Sequence, residues 1–479
     1  MKNQQFIDRS LKNLWHPCTQ MKIQQAQSLI PIKRGEGVWL YDYNEKKYLD
    51  AISSWWVNLF GHNQSEIKKY ITDQLDLIEH VMLAGLTHEP AILLSEKLSS
   101  ITNLGHAFYG SDGSNAIEIA IKMSVHYWRN KGCPKKNKII YLENSYHGET
   151  LGALSVTDIK LFRKNYASLI KKNNPIKTPD WRYADKGETS ESYALRCIED
   201  LEIYLQDNHQ HIAAFIIEPL VQCATGMGMY HATYLAKARA LCTKYQIHLI
   251  DDEIAVGFGR TGKMFAFEHA QIKPDFICLS KGLTGGYLPL SSVLTTDDIY
   301  MAFYEDKIEK GFLHSHSYTG NPLACSAALG TLSYFENHDV INQNNKTSAY
   351  ISERIKTLET LPISNLRNVG MIWAFELEEA SKNTIKKITM KKSIALVAAA
   401  FGVSSVFAQD LTSKKGEPFL PEAGEWSVGI DATPFLNYFG NLIGGGQNAN
   451  NAPTWNYLTT NQTITGKYFV EDDMAYRAS

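Results

Sequence analysis

Two segments of the sequence place a carboxylate and an amine where both could act on one ligand. LIDDEIAVGFGRTG (249–262) carries Asp252 after an apolar run, and ICLSKGLTGG (277–286) carries Lys281 after another. Both runs predict buried strands, and ligands of open α/β sheets bind beyond the carboxyl ends of the strands. A partly desolvated lysine has a lowered pKa, so its amine can attack a carbonyl carbon. The alternative for any lone Asp and Lys is an ordinary buried ion pair.

This pairing suits pyridoxal 5'-phosphate as a cofactor. Lys281 would bind the cofactor covalently through its amine. Asp252 would keep the pyridine nitrogen protonated, so that the ring withdraws electrons from a bound substrate.

Three further segments favour this interpretation over an ion pair. YGSDGSNAIEIAIKMS (109–124) leads small residues into a helix N-terminus, where free N–H groups and the helix dipole bind phosphate. NSYHGET (144–150) puts Tyr146 on a loop where it could stack on a flat ring. HSHSYTGNPLACSAA (314–328) is a hydroxyl-rich turn before a small-residue helix. Its two histidines have no acidic or cysteine ligands nearby in sequence, so we predict no metal site.

Helix and strand patterns alternate between about residues 60 and 300. Residues 116–129 predict a helix, and 138–144, 213–221, 248–254 and 276–282 predict strands. Near-continuous apolar strands separated by helices are typical of a mostly parallel sheet covered on both faces. The predicted fold class is therefore α/β.

The composition restricts the class of protein and its surroundings. A length of 479 residues with 44% hydrophobic content supports two or three domains. A net charge of −2 gives no reason to expect nucleic acid or an anionic membrane as a partner. The seven cysteines form no C-x-x-C pair, which suits a reducing compartment. The first 15 residues have no apolar core, so we predict a cytoplasmic location for the region before about residue 385.

In this order and spacing, the segments resemble the class III (ω-type) aminotransferases, which are fold-type I pyridoxal phosphate enzymes. Four motifs narrow the resemblance to members of the family that act in biotin synthesis: LWHPCTQM (14–21), SSWW (53–56), HVMLAGLTHEPAI (80–92) and DEIAVGFGRTGKMFAFEHA (252–270). The match runs from about residue 5 to about residue 378 and implies a large domain with a mostly parallel sheet and a small α+β domain. It also implies transfer of an amino group from S-adenosylmethionine to 8-amino-7-oxononanoate, giving 7,8-diaminononanoate. Another ω-aminotransferase with a different amino donor is the alternative.

The resemblance also implies roles for individual residues. It makes Lys281 and Asp252 catalytic, with Lys281 moving the proton as well as holding the cofactor. Residues implied to bind the cofactor are Gly113, Ser114, Tyr146, Asp252, Lys281 and Ser317. Ser317 is expected to reach the cofactor of the other subunit, which implies a homodimer. Residues implied to contact the substrate are Trp55, Trp56, Tyr146 and Ser315, with Glu218 and Arg260 as further pocket residues.

The sequence departs from this family in two places. Cys18 stands where the family often has an aromatic residue. After about residue 378 the expected C-terminal subdomain, with the arginine that should bind the acceptor's carboxylate, is not recognisable. YFGNLIGG (438–445) echoes one of its motifs but lacks that arginine.

The segment ITMKKSIALVAAAFGVSSVFAQD (388–410) has a basic start, an apolar middle and a small-residue cleavage pattern, as secretory signal peptides do. Alternating residues follow at 424–440 and 463–479 and predict strands. We therefore interpret 390–479 as the start of an exported protein, with strands of an outer-membrane β-barrel, joined to a truncated enzyme that the fusion could leave inactive. The alternative is that 390–408 forms a buried helix of the aminotransferase.

These patterns predict four parts of the chain. Residues 1–55 would begin the small domain, 56–318 would form the large cofactor-binding domain, and 319–389 would return to a truncated small domain. Residues 390–479 would be unrelated to the other three parts.

Overall fold

The computed structural model describes most of the first 377 residues and three later strands. The described residues are 2–25, 29–356, 363–377, 426–430, 464–471 and 474–478. The chain divides into two compact units. Of the described residues, those within 1–64, 349–367 and 373–479 form the first unit, and those within 65–348 and 368–372 form the second.

The helices and strands are numbered in chain order. The helices are α1 (Lys2–Asn13), α2 (Met21–Gln25), α3 (Ser53–Trp56), α4 (Ser65–Leu75), α5 (Glu89–Thr102), α6 (Gly113–Asn130), α7 (Leu151–Leu154), α8 (Lys160–Lys164), α9 (Ser190–Asn208), α10 (Ala232–Lys244), α11 (Asp297–Met301), α12 (Pro322–Asn337) and α13 (Val340–Ile355). The strands are β1 (Ile32–Glu36), β2 (Trp39–Asp42), β3 (Lys47–Asp50), β4 (His106–Gly110), β5 (Lys138–Leu142), β6 (Asn174–Ile176), β7 (Ile212–Ile217), β8 (Val221–Gln222), β9 (Gly228–Met229), β10 (His248–Asp252), β11 (Phe276–Leu279), β12 (Ser291–Thr295), β13 (Ile363–Val369), β14 (Ile372–Leu377), β15 (Trp426–Ile430), β16 (Ile464–Glu471) and β17 (Met474–Ala478).

A seven-stranded sheet forms the centre of the second unit, with the strand order β4-β12-β11-β10-β7-β5-β6. Strand β12 runs antiparallel to both β4 and β11, and the other neighbouring strands run parallel. Every residue of β7, β10, β11 and β12 is buried, as expected for strands covered on both faces. The predicted α/β fold with a mostly parallel sheet is confirmed.

Helix α6 packs its apolar face against this sheet. Ile117, Ala120 and Met123 of the helix belong to one buried cluster with Ile216 and Phe276 of the strands. The three helix residues recur at a spacing of three, which places them on one helix face. The packing fixes the N-terminus of α6 beside the strand ends.

Helices α4 and α12 also pack closely within the second unit. Gly330 lies at their contact, because a Cβ built there would be 3.1 Å from the Cα atom of Ile67. Small residues let two helix backbones approach each other, and 11 of the 16 residues of α12 are buried.

In the first unit, β1, β2 and β3 form an antiparallel sheet with a hairpin turn between β2 and β3. Asp42 stabilises this turn, since its Oδ1 atom accepts hydrogen bonds from the backbone N–H groups of Asn44 (2.8 Å) and Lys46 (3.0 Å). Strand β15 extends the sheet parallel to β3, and β16 and β17 continue it with antiparallel pairing. Strands therefore form where the alternation at 424–440 and 463–479 predicts them.

Other predictions concern residues outside this description. The signal-like segment 388–410 and the motif echo at 438–445 lie outside the described residues. Residues 319–348, which the sequence analysis assigns to the small domain, fall in the second unit. The division of the chain into four parts stays a prediction. Among the described helices, none combines the length and apolar character needed to cross a membrane.

Candidate active site

Strands β10 and β11 bring Asp252 and Lys281 to the same edge of the sheet. The strands are parallel neighbours, and Asp252 is in register with Cys278. Lys281 follows three residues after Cys278, just beyond the end of β11. Both side chains therefore belong to the carboxyl end of the sheet, where α/β enzymes bind ligands.

The backbone of Lys281 is held in an unusual conformation. Its φ angle is 44°, in the left-handed region that costs a residue with a side chain about 1 kcal/mol or more. Burial lowers the pKa of the Lys281 amine, while nearby Cys223 and Asp252 raise that pKa. Because the lowering prevails, a larger fraction of the amine is neutral and nucleophilic.

Asp252 is buried and is oriented by a histidine that the sequence analysis missed. Its Oδ2 atom lies 2.6 Å from Nδ1 of His147, and its Oδ1 atom accepts a hydrogen bond from the N–H of Ile254 (3.1 Å). The side chain of His147 is fully buried, and its Nε2 atom has no hydrogen-bond partner within the described residues. The sequence feature that could have identified His147 is its place directly after Tyr146 in the NSYHGET loop.

The N-terminus of α6 forms a small cradle with the loop after β5. Asp112 caps the helix, with its Oδ1 atom accepting a hydrogen bond from the N–H of Asn115 (3.1 Å). The Oγ atom of Ser114 accepts a hydrogen bond from the N–H of Glu149 (3.3 Å). Gly148 has a φ angle of 118°, and a Cβ atom there would overlap Ser114 Oγ. Gly148 thus lets the loop approach the N-terminus of α6, where the helix dipole favours a phosphate group.

Glu218 ties the Tyr146 loop to a neighbouring segment. Its two carboxylate oxygens accept hydrogen bonds from the N–H groups of Tyr146 (2.9 Å) and Cys223 (3.1 Å). Burial raises the pKa of Glu218 to about 7. Burial also lowers the pKa of Arg260 to about 10. The charges of Glu218 and Arg260 influence the pKa of Lys281, so both residues lie in its electrostatic surroundings.

The side chain of Tyr146 is half-buried beside this loop. Its hydroxyl donates a hydrogen bond to Oε1 of Glu149 (3.1 Å), and its ring centroid lies 5.8 Å from that of Phe162. Tyr146 directly precedes His147, the partner of Asp252, in this loop. Its stacking on a cofactor stays a prediction.

Ser315 and Ser317 lie on an exposed turn of the second unit. The backbone oxygen of Ser317 accepts a hydrogen bond from Nε2 of His80 (2.8 Å), which anchors the turn. Across the part of the chain that the structure describes, no hydrogen bond joins either serine to Lys281 or Asp252. Their predicted contacts with substrate and with the other subunit's cofactor stay predictions.

Trp55 and Trp56 belong to the first unit, where α3 carries them on a tight turn. Trp55 is exposed and Trp56 is half-buried. Cys18, at the position where an aromatic residue was expected, is exposed. The contacts of the two tryptophans with substrate stay a prediction.

The residues at the sheet edge fit pyridoxal phosphate. Lys281 offers an amine with a lowered pKa, Asp252 offers a fixed carboxylate, and the N-terminus of α6 at Ser114 offers a helix dipole that favours a phosphate. Over the same described residues, no group of three or more His, Cys, Asp or Glu side chains is arranged to hold a metal ion.

This sheet and site define a fold-type I pyridoxal phosphate transferase, and comparisons with known proteins agree. The chain belongs to the family described as aminotransferase class-III, whose match covers residues 21–411. The family implied by the sequence motifs is therefore confirmed, as is a transaminase activity class.

Two relatives carry the same enzyme name. Adenosylmethionine-8-amino-7-oxononanoate aminotransferase of Helicobacter pylori is 46% identical over 391 residues, which are 80% of this chain and 88% of the relative. The enzyme of that name from Staphylococcus aureus is 40% identical over 381 residues, covering 78% of this chain and 84% of the relative.

Solved structures give the same answer for the fold. The crystal structure of the Methanocaldococcus jannaschii enzyme of that name aligns with a TM-score of 0.74 at 37% identity, covering 78% of this chain and 85% of that one. An amine transaminase from an uncultivated Pseudomonas species, in its PLP-bound form, aligns with a TM-score of 0.73 at 30% identity. That alignment covers 77% of this chain and 84% of the Pseudomonas chain.

Proposed function

We propose that this chain uses pyridoxal phosphate to move the amino group of S-adenosylmethionine to 8-amino-7-oxononanoate, giving 7,8-diaminononanoate for biotin synthesis. One observation carries the proposal: Asp252 and Lys281 lie at one sheet edge in a chain that is 46% identical to a relative named for this reaction. The reaction is balanced without another reactant, because the donor's amine becomes a carbonyl while the acceptor's carbonyl becomes an amine.

Each side chain of the site has a separate role in the proposed reaction. Pyridoxal phosphate, when bound, supplies a ring that accepts electrons from the bond being broken. Asp252, oriented by His147, holds a proton at the ring nitrogen position. Lys281 would hold the cofactor through the cofactor's carbonyl carbon. Its amine, released when the substrate's amine takes its place, would move a proton to and from the substrate carbon that carries the amine. Ser114 and the N-terminal N–H groups of α6 hold the phosphate.

The proposal extends to residues around this centre. Trp55, Trp56, Tyr146 and Ser315 contact the substrates. Ser317 contacts the cofactor of a second copy of the chain, so the enzyme is a homodimer. The enzyme works in the cytoplasm, which is in keeping with the free cysteines among the described residues.

A donor panel tests the proposed reaction against its alternative, an ω-aminotransferase with another donor. The purified holoenzyme is mixed with 8-amino-7-oxononanoate and either S-adenosylmethionine, L-lysine or L-alanine, and 7,8-diaminononanoate is measured by mass spectrometry. We expect product with S-adenosylmethionine and none with Lys281→Ala. Product with only another donor would support the alternative reaction.

We also propose that residues 390–479 are a segment distinct from the aminotransferase, so that the enzyme lacks part of its small domain. The signal-like pattern at Met390 supports this proposal. The Helicobacter relative aligns with 80% of this chain, which leaves part of the chain outside the alignment. The family match extends past Met390 to residue 411 and does not support a boundary at residue 390. An intact mass from native cells tests the proposal: one full-length chain indicates a genuine fusion, and two products indicate separate proteins.

A further inference from the structure

The SSWW segment forms a turn with an unusual backbone. The four consecutive residues Ser53, Ser54, Trp55 and Trp56 have φ angles of 50°, 46°, 70° and 73°. Left-handed conformations are unfavourable for residues with side chains, and a run of four requires support from the surrounding structure. The turn also leaves Trp55 55% exposed, so burial of its ring does not account for the shape.

Asp50, at the end of β3, supplies much of that support. It is 7% exposed, and both carboxylate oxygens face the turn. Oδ1 accepts a hydrogen bond from the N–H of Ser54 (3.0 Å), and Oδ2 accepts one from the Ser54 hydroxyl (2.7 Å). One carboxylate therefore fixes both the backbone and the side chain of the residue before Trp55.

His62 fixes Asp50 in turn. Its Nε2 atom lies 2.9 Å from Oδ2 of Asp50, and its Nδ1 atom lies 3.2 Å from Nδ2 of Asn58. The Asn58 amide can only donate through that nitrogen, so Nδ1 accepts and the Nε2–H group donates to Asp50.

The backbone of His62 is held by the hairpin of β1 and β2. His62 and Gly37 exchange two backbone hydrogen bonds, of 2.6 Å and 3.0 Å. A Cβ atom on Gly35 would lie 2.7 Å from the Cβ and Cγ atoms of His62, so the ring packs directly on the strand backbone. The strand pair thus supports the turn through a continuous chain of contacts.

We propose that Asp50 and His62 are positioning residues that hold Trp55 and Trp56 in the shape that binds a substrate. The inference rests on the proposed function, because it takes the two tryptophans as substrate contacts. Neither Asp50 nor His62 touches a reacting atom in this account. Loosening the turn should therefore weaken substrate binding and leave the chemical step unchanged.

The test compares two buried hairpin carboxylates. Asp50→Asn keeps the size of the side chain but replaces one acceptor oxygen with a donor. Asp42→Asn is the matched control, since Asp42 is buried in the same sheet. Its carboxylate accepts hydrogen bonds from Tyr48, Asn3 and the β2–β3 hairpin turn, and none from the SSWW turn. We expect Asp50→Asn to raise the KM of at least one substrate about tenfold with kcat within about twofold. Asp42→Asn should leave both constants unchanged.

A double-mutant cycle shows whether Asp50 acts through Trp55. In a Trp55→Ala background, Asp50→Asn should have no further effect on KM. Additive effects, a fall in kcat at constant KM, or equal effects from Asp42→Asn would overturn the proposal. Ser54→Ala gives a second route if Asp50→Asn does not fold, because Ser54 is exposed and loses only its hydroxyl bond; an unchanged KM there would also overturn it.

A readout without turnover separates this inference from the proposed function. The contribution of Trp55 to the near-ultraviolet circular dichroism is obtained by subtracting the spectrum of Trp55→Phe. That contribution should shrink in the Asp50→Asn background and persist in the Asp42→Asn background. If the wild-type chain binds cofactor but transfers no amino group, the proposed function fails while this measurement still decides whether Asp50 holds the turn. Persistence in the Asp50→Asn background would refute the positioning role.

Discussion

Replacing Asp251 by asparagine should stabilise the protein at alkaline pH. Asp251 is fully buried in β10, and its carboxyl group lies within hydrogen-bond reach of the Glu253 carboxyl. Burial, with the neighbouring carboxyl of Glu253, raises the pKa of Asp251 well above its ordinary value. Asp251 therefore keeps a proton that the unfolded chain releases, and stability falls as the pH rises above the unfolded pKa of about 3.9.

The expected size of the effect follows from this proton. While Asp251 stays protonated, each pH unit above its unfolded pKa costs about 1.4 kcal/mol. Asparagine needs no proton, and its amide can donate to Glu253 in place of the protonated carboxyl. Its other N–H stays unpaired at a cost of about 1–3 kcal/mol. We expect about no net gain at pH 5 and a gain that grows by up to about 1.4 kcal/mol for each further pH unit.

Denaturant unfolding at pH 5, 6.5 and 8, followed by circular dichroism, measures this difference. Asp42→Asn is the control with the opposite sign, because hydrogen bonds from Tyr48 and Asn3 outweigh burial and lower the pKa of Asp42. The control should be less stable than the wild type at pH 8, and the gap should close as the pH falls through the lowered pKa. Parallel pH–stability curves for the wild type and Asp251→Asn would refute the reasoning.

Three further changes test the site and its support. Gly148→Ala should weaken cofactor binding about tenfold or more, because the new Cβ atom overlaps Ser114. Gly187→Ala is the control, since Gly187 also has a positive φ angle (87°) but no atom lies within 4 Å of the new Cβ. Spectroscopic titration with the cofactor measures both variants. Glu218→Gln should remove an inflection near pH 7 from the kcat/KM profile, since the ionised Glu218 raises the pKa of the Lys281 amine; an unchanged profile would contradict this role. Gly330→Ala should destabilise the protein by about 1–3 kcal/mol, measured by thermal unfolding, because the α4 backbone lies 3.1 Å from the new atom.

The centre of the fold and site could be predicted because both depend on patterns local to the sequence. Continuous apolar runs identify buried strands, and parallel neighbours bring their carboxyl ends to one edge. Asp252 and Lys281 could therefore be paired without knowing their distance. The antiparallel direction of β12 could not be predicted, because an apolar strand has the same sequence pattern whichever way it runs.

Other features depend on contacts between distant residues. His147 is 105 positions from Asp252 in the sequence, and nothing local indicates their 2.6 Å contact. The left-handed SSWW turn is unfavourable for its own residues and exists because Asp50 and His62 hold it. Such strained features are set by tertiary structure, so local patterns in the sequence do not predict them.

The most direct test of the central claim is to identify the lysine that binds pyridoxal phosphate. The purified holoenzyme is reduced with borohydride, which makes the link between lysine and cofactor permanent, and its peptides are sequenced by mass spectrometry. The account predicts a phosphopyridoxyl group on Lys281 and no such label in Lys281→Ala. A label on another lysine, or none on a chain saturated with cofactor, would contradict it.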